Sequence, residues 1–132
     1  MSIQYKMVKR TDYINAEEEK KTGYYPQVVR AGTIGIKKLC KQATHGTSLN
    51  AFEAEIALRM VLEQIEKELL NSHSVCLEGF GTFSLTAESR RVENPNSIRA
   101  ESIKVKRITF ISSRTIMNRI KNAKFVRAVT LS

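Results

Sequence analysis

The chain has 132 residues and is 42% hydrophobic, enough for one domain with a modest core and too apolar for a disordered tract. No apolar run approaches the length of a membrane span, and the opening MSIQYKMVKR lacks the apolar segment of a secretory signal. The formal net charge of +9 points to a polyanionic partner, DNA or RNA, with an anionic membrane the weaker fit.

The charge is unevenly placed. Residues 1–48 are net +5, residues 49–73 net −3 and residues 74–132 net +7. A charge serving solubility alone would be spread more evenly, so the C-terminal half reads as the binding half. Cys40 and Cys76 lie far apart without a CxxC or His-rich neighbourhood. They read as buried free thiols in a reducing compartment rather than as metal ligands.

Ile3, Tyr5 and Met7 alternate with polar residues, which predicts a short strand with one wet face. TDYINAEEEKKTG, residues 11–23, reads as a mobile loop. YYPQVVRAG follows as a strand, and Pro26 favours an edge position because it has no N–H to give a ladder. Thr33 to Gly35 can start a short helix with Ile36, Leu39, Cys40 and Ala43 as its apolar stripe. Gly46 ends it. The clearest element comes next: Asn50, three residues before Glu53, caps a helix free of Gly and Pro to residue 71. Ile56, Met60, Val61, Leu62, Ile65 and Leu69 form a stripe wider than one layer of partner structure needs, so this helix packs on two sides, one of them a second subunit. Its glutamates, Glu53, Glu55, Glu63, Glu66 and Glu68, read as a solvated face. His45 and His73 fall at helix ends, where surface or capping roles outweigh ligation.

The stretch SVCLEGFGTFSL, residues 74–85, sets two glycines around one phenylalanine. Alternating apolar residues on both sides make it strand, turn, strand. A phosphate-binding P-loop requires a strand followed by a helix, with Lys-Ser/Thr at its end, and neither is present. Gly79-Phe80-Gly81 is therefore a tight hairpin turn. TAESRRVENPNSIRAES, residues 86–102, has little to bury, and Asn94-Pro95 is turn chemistry. IKVKRITF, residues 103–110, returns as a strand with Lys104, Lys106 and Arg107. The expected feature is a β-ribbon with Pro95 at its tip and Arg90, Arg91 and Arg99 on its flanks. Ser112 or Ser113 caps a last helix beginning near Arg114, and KFVRAVTL can pair with the N-terminal strand.

Two helices, then V-x-L-x-GFG-x-F, a basic arm with Asn-Pro at its tip, a return strand ending in Phe and a short basic helix: this order resembles the HU/integration host factor family of bacterial histone-like proteins. The likeness covers residues 33–122, and VCLEGFGTF is its most specific part. The flanking segments, 1–32 and 123–132, resemble those of the extended HU-like proteins of Bacteroidetes. The resemblance implies an α+β fold: a helical pair, a three-stranded antiparallel sheet with a protruding β-arm, a short C-terminal helix and extra terminal strands. It also implies a dimer, homo- or heteromeric, carrying twice the chain's charge. That dimer binds and bends double-stranded DNA with little sequence preference, as a cytoplasmic, nucleoid-associated protein.

Carried over by position, the DNA contacts are Gly79 and Gly81 through their N–H groups, Arg90, Arg91, Asn94, Pro95, Arg99, Lys104, Lys106, Arg107 and Arg114. Ile56, Met60, Phe80, Phe83 and Phe110 belong to the dimer core. The tip departs from the family pattern. VENPNSI places Glu93 where a cation is usual and lacks the usual glycine, so the fold is the firmer inference and intercalation the weaker. Pro95 as a wedge and Pro95 as an ordinary turn residue both stand on this reading. Packing explains Tyr24 and Tyr25 more simply than base stacking does. No catalytic arrangement, cofactor motif, metal site or small-molecule substrate is expected. The alternative is an RNA-binding or partner-binding structural protein that keeps the dimer with a degenerate arm.

Overall fold

The computed structural model describes residues 1–11 and 22–129. In chain order the elements are β1 Ser2–Thr11, β2 Thr22–Val28, α1 Ile36–Thr44, α2 Ala51–Leu70, β3 Val75–Leu77, β4 Gly81–Glu88, β5 Lys104–Ser112, α3 Arg114–Ile120 and β6 Lys124–Arg127. They form two compact units: Met1–Ile34 with Lys121–Ser132, and Gly35–Ile120.

The terminal unit is a three-stranded sheet in the order β2-β1-β6, with β1 antiparallel to β2 and parallel to β6. Pro26 sits on the edge strand β2, opposite Met7. β1 is longer than the segment expected at residues 3–8. Every residue from Tyr5 to Thr11 finds a ladder partner in β2, so Thr11, Thr22 and Gly23 are strand rather than loop. Residues 12–21 of the expected loop lie outside the described residues. Beyond β2, the Val29 N–H still donates to the Gln4 carbonyl at 2.8 Å.

In the second unit, α1 has no side-chain cap at Gly35 and ends where Gly46 takes φ +76°, a conformation glycine accepts at little cost. α2 starts on Asn50, whose Oδ1 accepts from the Phe52 N–H at 2.8 Å, a cap worth about 1 kcal/mol. It ends with a pair of reversed bonds: the His73 N–H donates to Glu68 O at 3.0 Å and the Ser72 N–H to Leu69 O at 3.1 Å. Ser72 takes φ +66° there, which costs a residue with a Cβ roughly 1 kcal/mol relative to glycine. β3, β4 and β5 form an antiparallel sheet in that order.

Little of this unit is buried. Among the described residues the buried apolar side chains are Cys40 and Leu69 alone, joined by Thr44, whose hydroxyl donates back to Cys40 O at 2.8 Å. Cys76 is exposed, contrary to the expectation of two buried thiols. Strand alternation explains it: Val75 and Leu77 turn to the covered face of β3 and Cys76 to the other. On α2, Ile56 is 44% and Met60 66% exposed. Between α2 and the sheet lies a hollow of about 460 Å³, lined by Leu62, Ile65, Leu69, Phe83, Leu85 and Ile108 among others.

At the C-terminal end of α2, Glu68 is not simply solvated. Its Oε2 lies 2.7 Å from His73 Nδ1, and its Oε1 accepts from Gln64 Nε2 at 2.8 Å. The hydrogen bond from His73, then that from Gln64, holds the Glu68 carboxyl below the usual carboxylate range. The ionised form is favoured in the folded state, so its contribution to stability is complete above the ordinary glutamate pKa. It is lost as pH falls through the lowered value. In His73→Ala, a carboxyl-detected NMR titration is expected to show Glu68 returning toward its ordinary value, and the acid limb of the stability curve should become shallower, because a carboxyl that titrates alike in the folded and unfolded chain adds no pH dependence. An unmoved titration would show that the contact does not persist in solution.

Candidate nucleic-acid interface

The base of the candidate interface is the β3–β4 turn. The Phe80 N–H donates to Leu77 O at 2.9 Å, and Gly79 between them has φ +80°, as the third position of a type II turn requires. Gly81 is a glycine for a different reason. A Cβ there would lie 2.4 Å from the Phe110 ring and 2.6 Å from Ile111 O. Gly81 is buried, and the close approach of the Phe110 ring and the Ile111 carbonyl leaves no room for a side chain there. Phe110 also meets Phe80 and Phe83 at centroid distances of 5.3 and 4.9 Å. The structure thus gathers three of the five expected dimer-core residues, with Phe80 and Phe110 still 47% and 43% exposed.

From this base β4 and β5 run out as a ribbon from Gly81↔Ser112 to Glu88↔Lys104. Thr86 pairs with Arg107 and Ala87 with Val105, which leaves Lys106 as an extra residue on β5. Such a bulge re-aims side chains and increases local twist. Beyond Glu88 the expected ribbon does not continue. Residues 89–103 form an irregular loop with 3₁₀ turns at Pro95–Ser97 and Ala100–Ser102. Side chains capture the backbone there. Asn94 Oδ1 accepts from the Asn96 N–H at 3.0 Å, and the Ser102 hydroxyl donates to Arg99 O at 2.8 Å. Pro95 has no N–H to offer a ladder. These local bonds compete with strand pairing and win. Arg90, Arg91, Asn94, Pro95 and Arg99 therefore lie on a loop, while Lys104, Lys106 and Arg107 lie on the ribbon.

All six of these cations are exposed. Among the described residues the ion pairs are Arg59–Glu55, Lys67–Glu63 and His73–Glu68, all on or just after α2. None engages the arm, although Glu88, Glu93 and Glu101 lie along it. Arg114 is the first residue of α3, exposed, and Ser113 is the cap: its Oγ accepts from the Ile116 N–H at 3.3 Å. Sequence reasoning missed Arg119, which donates to Gly79 O at 3.1 Å and ties α3 to the turn. Nothing in the sequence marks a bond between residues forty apart. Among the described residues there is no group of three or more His, Cys, Asp or Glu placed to hold a metal ion, and no helix is long and apolar enough to cross a membrane.

A family model described as an HU domain fused to wHTH, Ig, or glycine-rich motif, HU-HIG, matches residues 1–127. The chain belongs to the HU-HIG family. The match begins at residue 1, so it takes in the terminal sheet as well as the helical unit. No curated protein sequence matches this HU-HIG chain. Among solved structures it resembles a protein of Bacteroides vulgatus ATCC 8482, provisionally named a bacterial DNA-binding protein. The TM-score is 0.68 at 12% identity, covering 96% of this chain and 48% of that one. At that identity the likeness concerns the fold, and the chain spans about half the length of the protein it matches. An Anabaena HU–DNA cocrystal structure aligns at TM-score 0.47 and 18% identity, covering 67% of this chain and 99% of that one.

Proposed function

We propose that this HU domain binds double-stranded DNA as a dimer, largely without sequence preference, and bends it, contributing to nucleoid architecture. The observation that carries the reading is the set of six exposed arm cations, Arg90, Arg91, Arg99, Lys104, Lys106 and Arg107, with no carboxylate partner among the described residues. A protein that keeps cations unpaired on a projecting element holds them for an outside polyanion. Guanidinium groups suit both phosphates and narrow minor grooves. Such contacts fix position rather than read bases, hence the sequence tolerance. Arg114 beside the turn extends the phosphate-contacting surface to the base of the arm. HU-type proteins are minor-groove architectural binders, and Pro95, exposed at the arm's far end, is the rigid apolar residue for a wedge.

The bareness of the core supports the dimer. A unit of this size with two buried apolar side chains cannot hold itself together. Ile56, Met60, Phe80, Phe83 and Phe110 form the seam that a second copy covers. The DNA-binding part is residues 33–122, which takes in the unit Gly35–Ile120 with its arm, flanked by the terminal segments 1–32 and 123–132.

The test is binding to a four-way junction, a linear duplex and an RNA duplex at two salt concentrations. Expected are a preference for the distorted DNA and a log affinity falling by about 0.9 per phosphate neutralised for each unit of log salt. Pro95→Ala is expected to reduce bending in a cyclisation assay more than it reduces affinity. A flat salt response or equal RNA binding would overturn the reading. Unchanged bending would leave Pro95 as a turn residue.

A further inference from the structure

The terminal sheet has two unlike faces. Register places Gln4, Lys6, Val8 and Arg10 of β1 on one face with Tyr25 and Gln27 of β2 and Lys124 and Val126 of β6. The other carries Ile3, Tyr5, Met7 and Lys9 with Tyr24, Pro26, Val28, Phe125 and Arg127, and Tyr5 meets Phe125 there edge-on at 6.4 Å. The second face is mainly apolar. The first is basic, with one aromatic ring set among its cations. Tyr25 is 51% exposed, although its sequence context favoured packing, and the Arg10 guanidinium lies 5.9 Å from its ring centroid.

The charge of this unit is one-sided. Its described residues include seven lysines and arginines and no aspartate or glutamate. Over its whole length, acids at 12–21 included, the unit is net +5. Among the described residues this face has no carboxylate to pair with Lys6, Arg10 and Lys124, and the unit keeps a net positive charge even with the acids at 12–21 counted, so it suits an external polyanion. The exposed ring decides which kind. A duplex hides its base faces and offers a tyrosine nothing to stack on. An unpaired strand offers a planar base to the ring and phosphates to the cations on either side.

We propose that this face of the β2-β1-β6 sheet is a second nucleic-acid site, which takes a single-stranded segment by stacking a base on Tyr25 and holding the flanking phosphates with Lys6, Arg10 and Lys124. It is separate from the arm and independent of the duplex-bending reading.

The test uses the full chain and fluorescein-labelled oligo(dT) and oligo(rU) of fifteen nucleotides beside a duplex of the same length, read by anisotropy. Expected is measurable, salt-sensitive binding to at least one single strand, lowered about tenfold by Tyr25→Ala and retained by Tyr25→Phe. Lys6→Gln with Arg10→Gln is expected to weaken the same complex and flatten its salt dependence. Tyr25 is exposed, so circular dichroism should show the variants folded. Duplex affinity should be unchanged in Tyr25→Ala, while substitution of Arg90 and Arg91 should lower duplex binding and spare the single strand. The two sites therefore fail separately. Absence of single-strand binding, indifference to Tyr25→Ala, equal loss in Tyr25→Phe, or loss of single strand and duplex together would overturn the proposal.

Discussion

Replacing Arg90 and Arg91 together with alanine is expected to weaken duplex binding by about a hundredfold at moderate salt, by the same factor on every sequence. In the proposed dimer four of these guanidinium groups would be presented. If each neutralises one phosphate, their loss removes about 2–3 kcal/mol in total and flattens the slope of log affinity against log salt by about 3.6. The evenness across sequences matters as much as the size. Arg90 and Arg91 lie just past the last paired residue of β4, Glu88, where the backbone is free of the ladder. They have no described partner to orient them rigidly toward a base edge, and a mobile guanidinium meets phosphate before it meets a specific base. The fold should not change, because neither residue belongs to the sheet or the core. Fluorescence anisotropy on three unrelated duplexes at four salt concentrations would settle it. A loss confined to one duplex would show base readout, and unchanged affinity would remove the neck of the arm from the interface.

The parts of the molecule legible in the sequence were those specified by local chemistry. α2 follows from an Asn cap, an uninterrupted apolar stripe and good helix formers, and none of those signals needs a distant partner. The β3–β4 turn follows from glycine at a left-handed position. The arm was legible in composition but not in shape. Its cations are visible as residue types, whereas the competition between ladder pairing and the side-chain bonds of Asn94 and Ser102 is decided by geometry. The bulge at Lys106 is equally silent, since one extra residue in a strand of alternating cations leaves no mark. The terminal sheet was hardest. Ser2 pairs with Lys124 across almost the whole chain, so the central place of β1 depends on a closure that no window of sequence contains. Gly81 shows the same gap on the scale of one residue: the motif marks it as glycine, and only the Phe110 ring explains why.

Met60→Glu is expected to abolish the dimer and, with it, cooperative folding. On the isolated chain this substitution should be harmless. Met60 is 66% exposed, glutamate suits a helix about as well as methionine, and exposed substitutions usually fall within about 0.5 kcal/mol. If a second copy covers α2, the same carboxylate is buried against apolar neighbours without a partner, at a cost of several kcal/mol. Two readings of one residue thus differ by a large share of a small domain's whole stability. Analytical ultracentrifugation and thermal unfolding at several concentrations separate them. The native chain should sediment as a dimer with a midpoint that rises with concentration, as linkage between folding and association demands. Met60→Glu should sediment as an expanded monomer with no sharp transition. Glu63→Ala, on the solvated side of α2 beside Lys67, serves as the control and should leave both unchanged. A Met60→Glu protein that remains dimeric and melts as before would move the seam off this face of α2. The arms would then have no common base, and two cationic loops without a fixed spacing can hold DNA but cannot impose a bend on it.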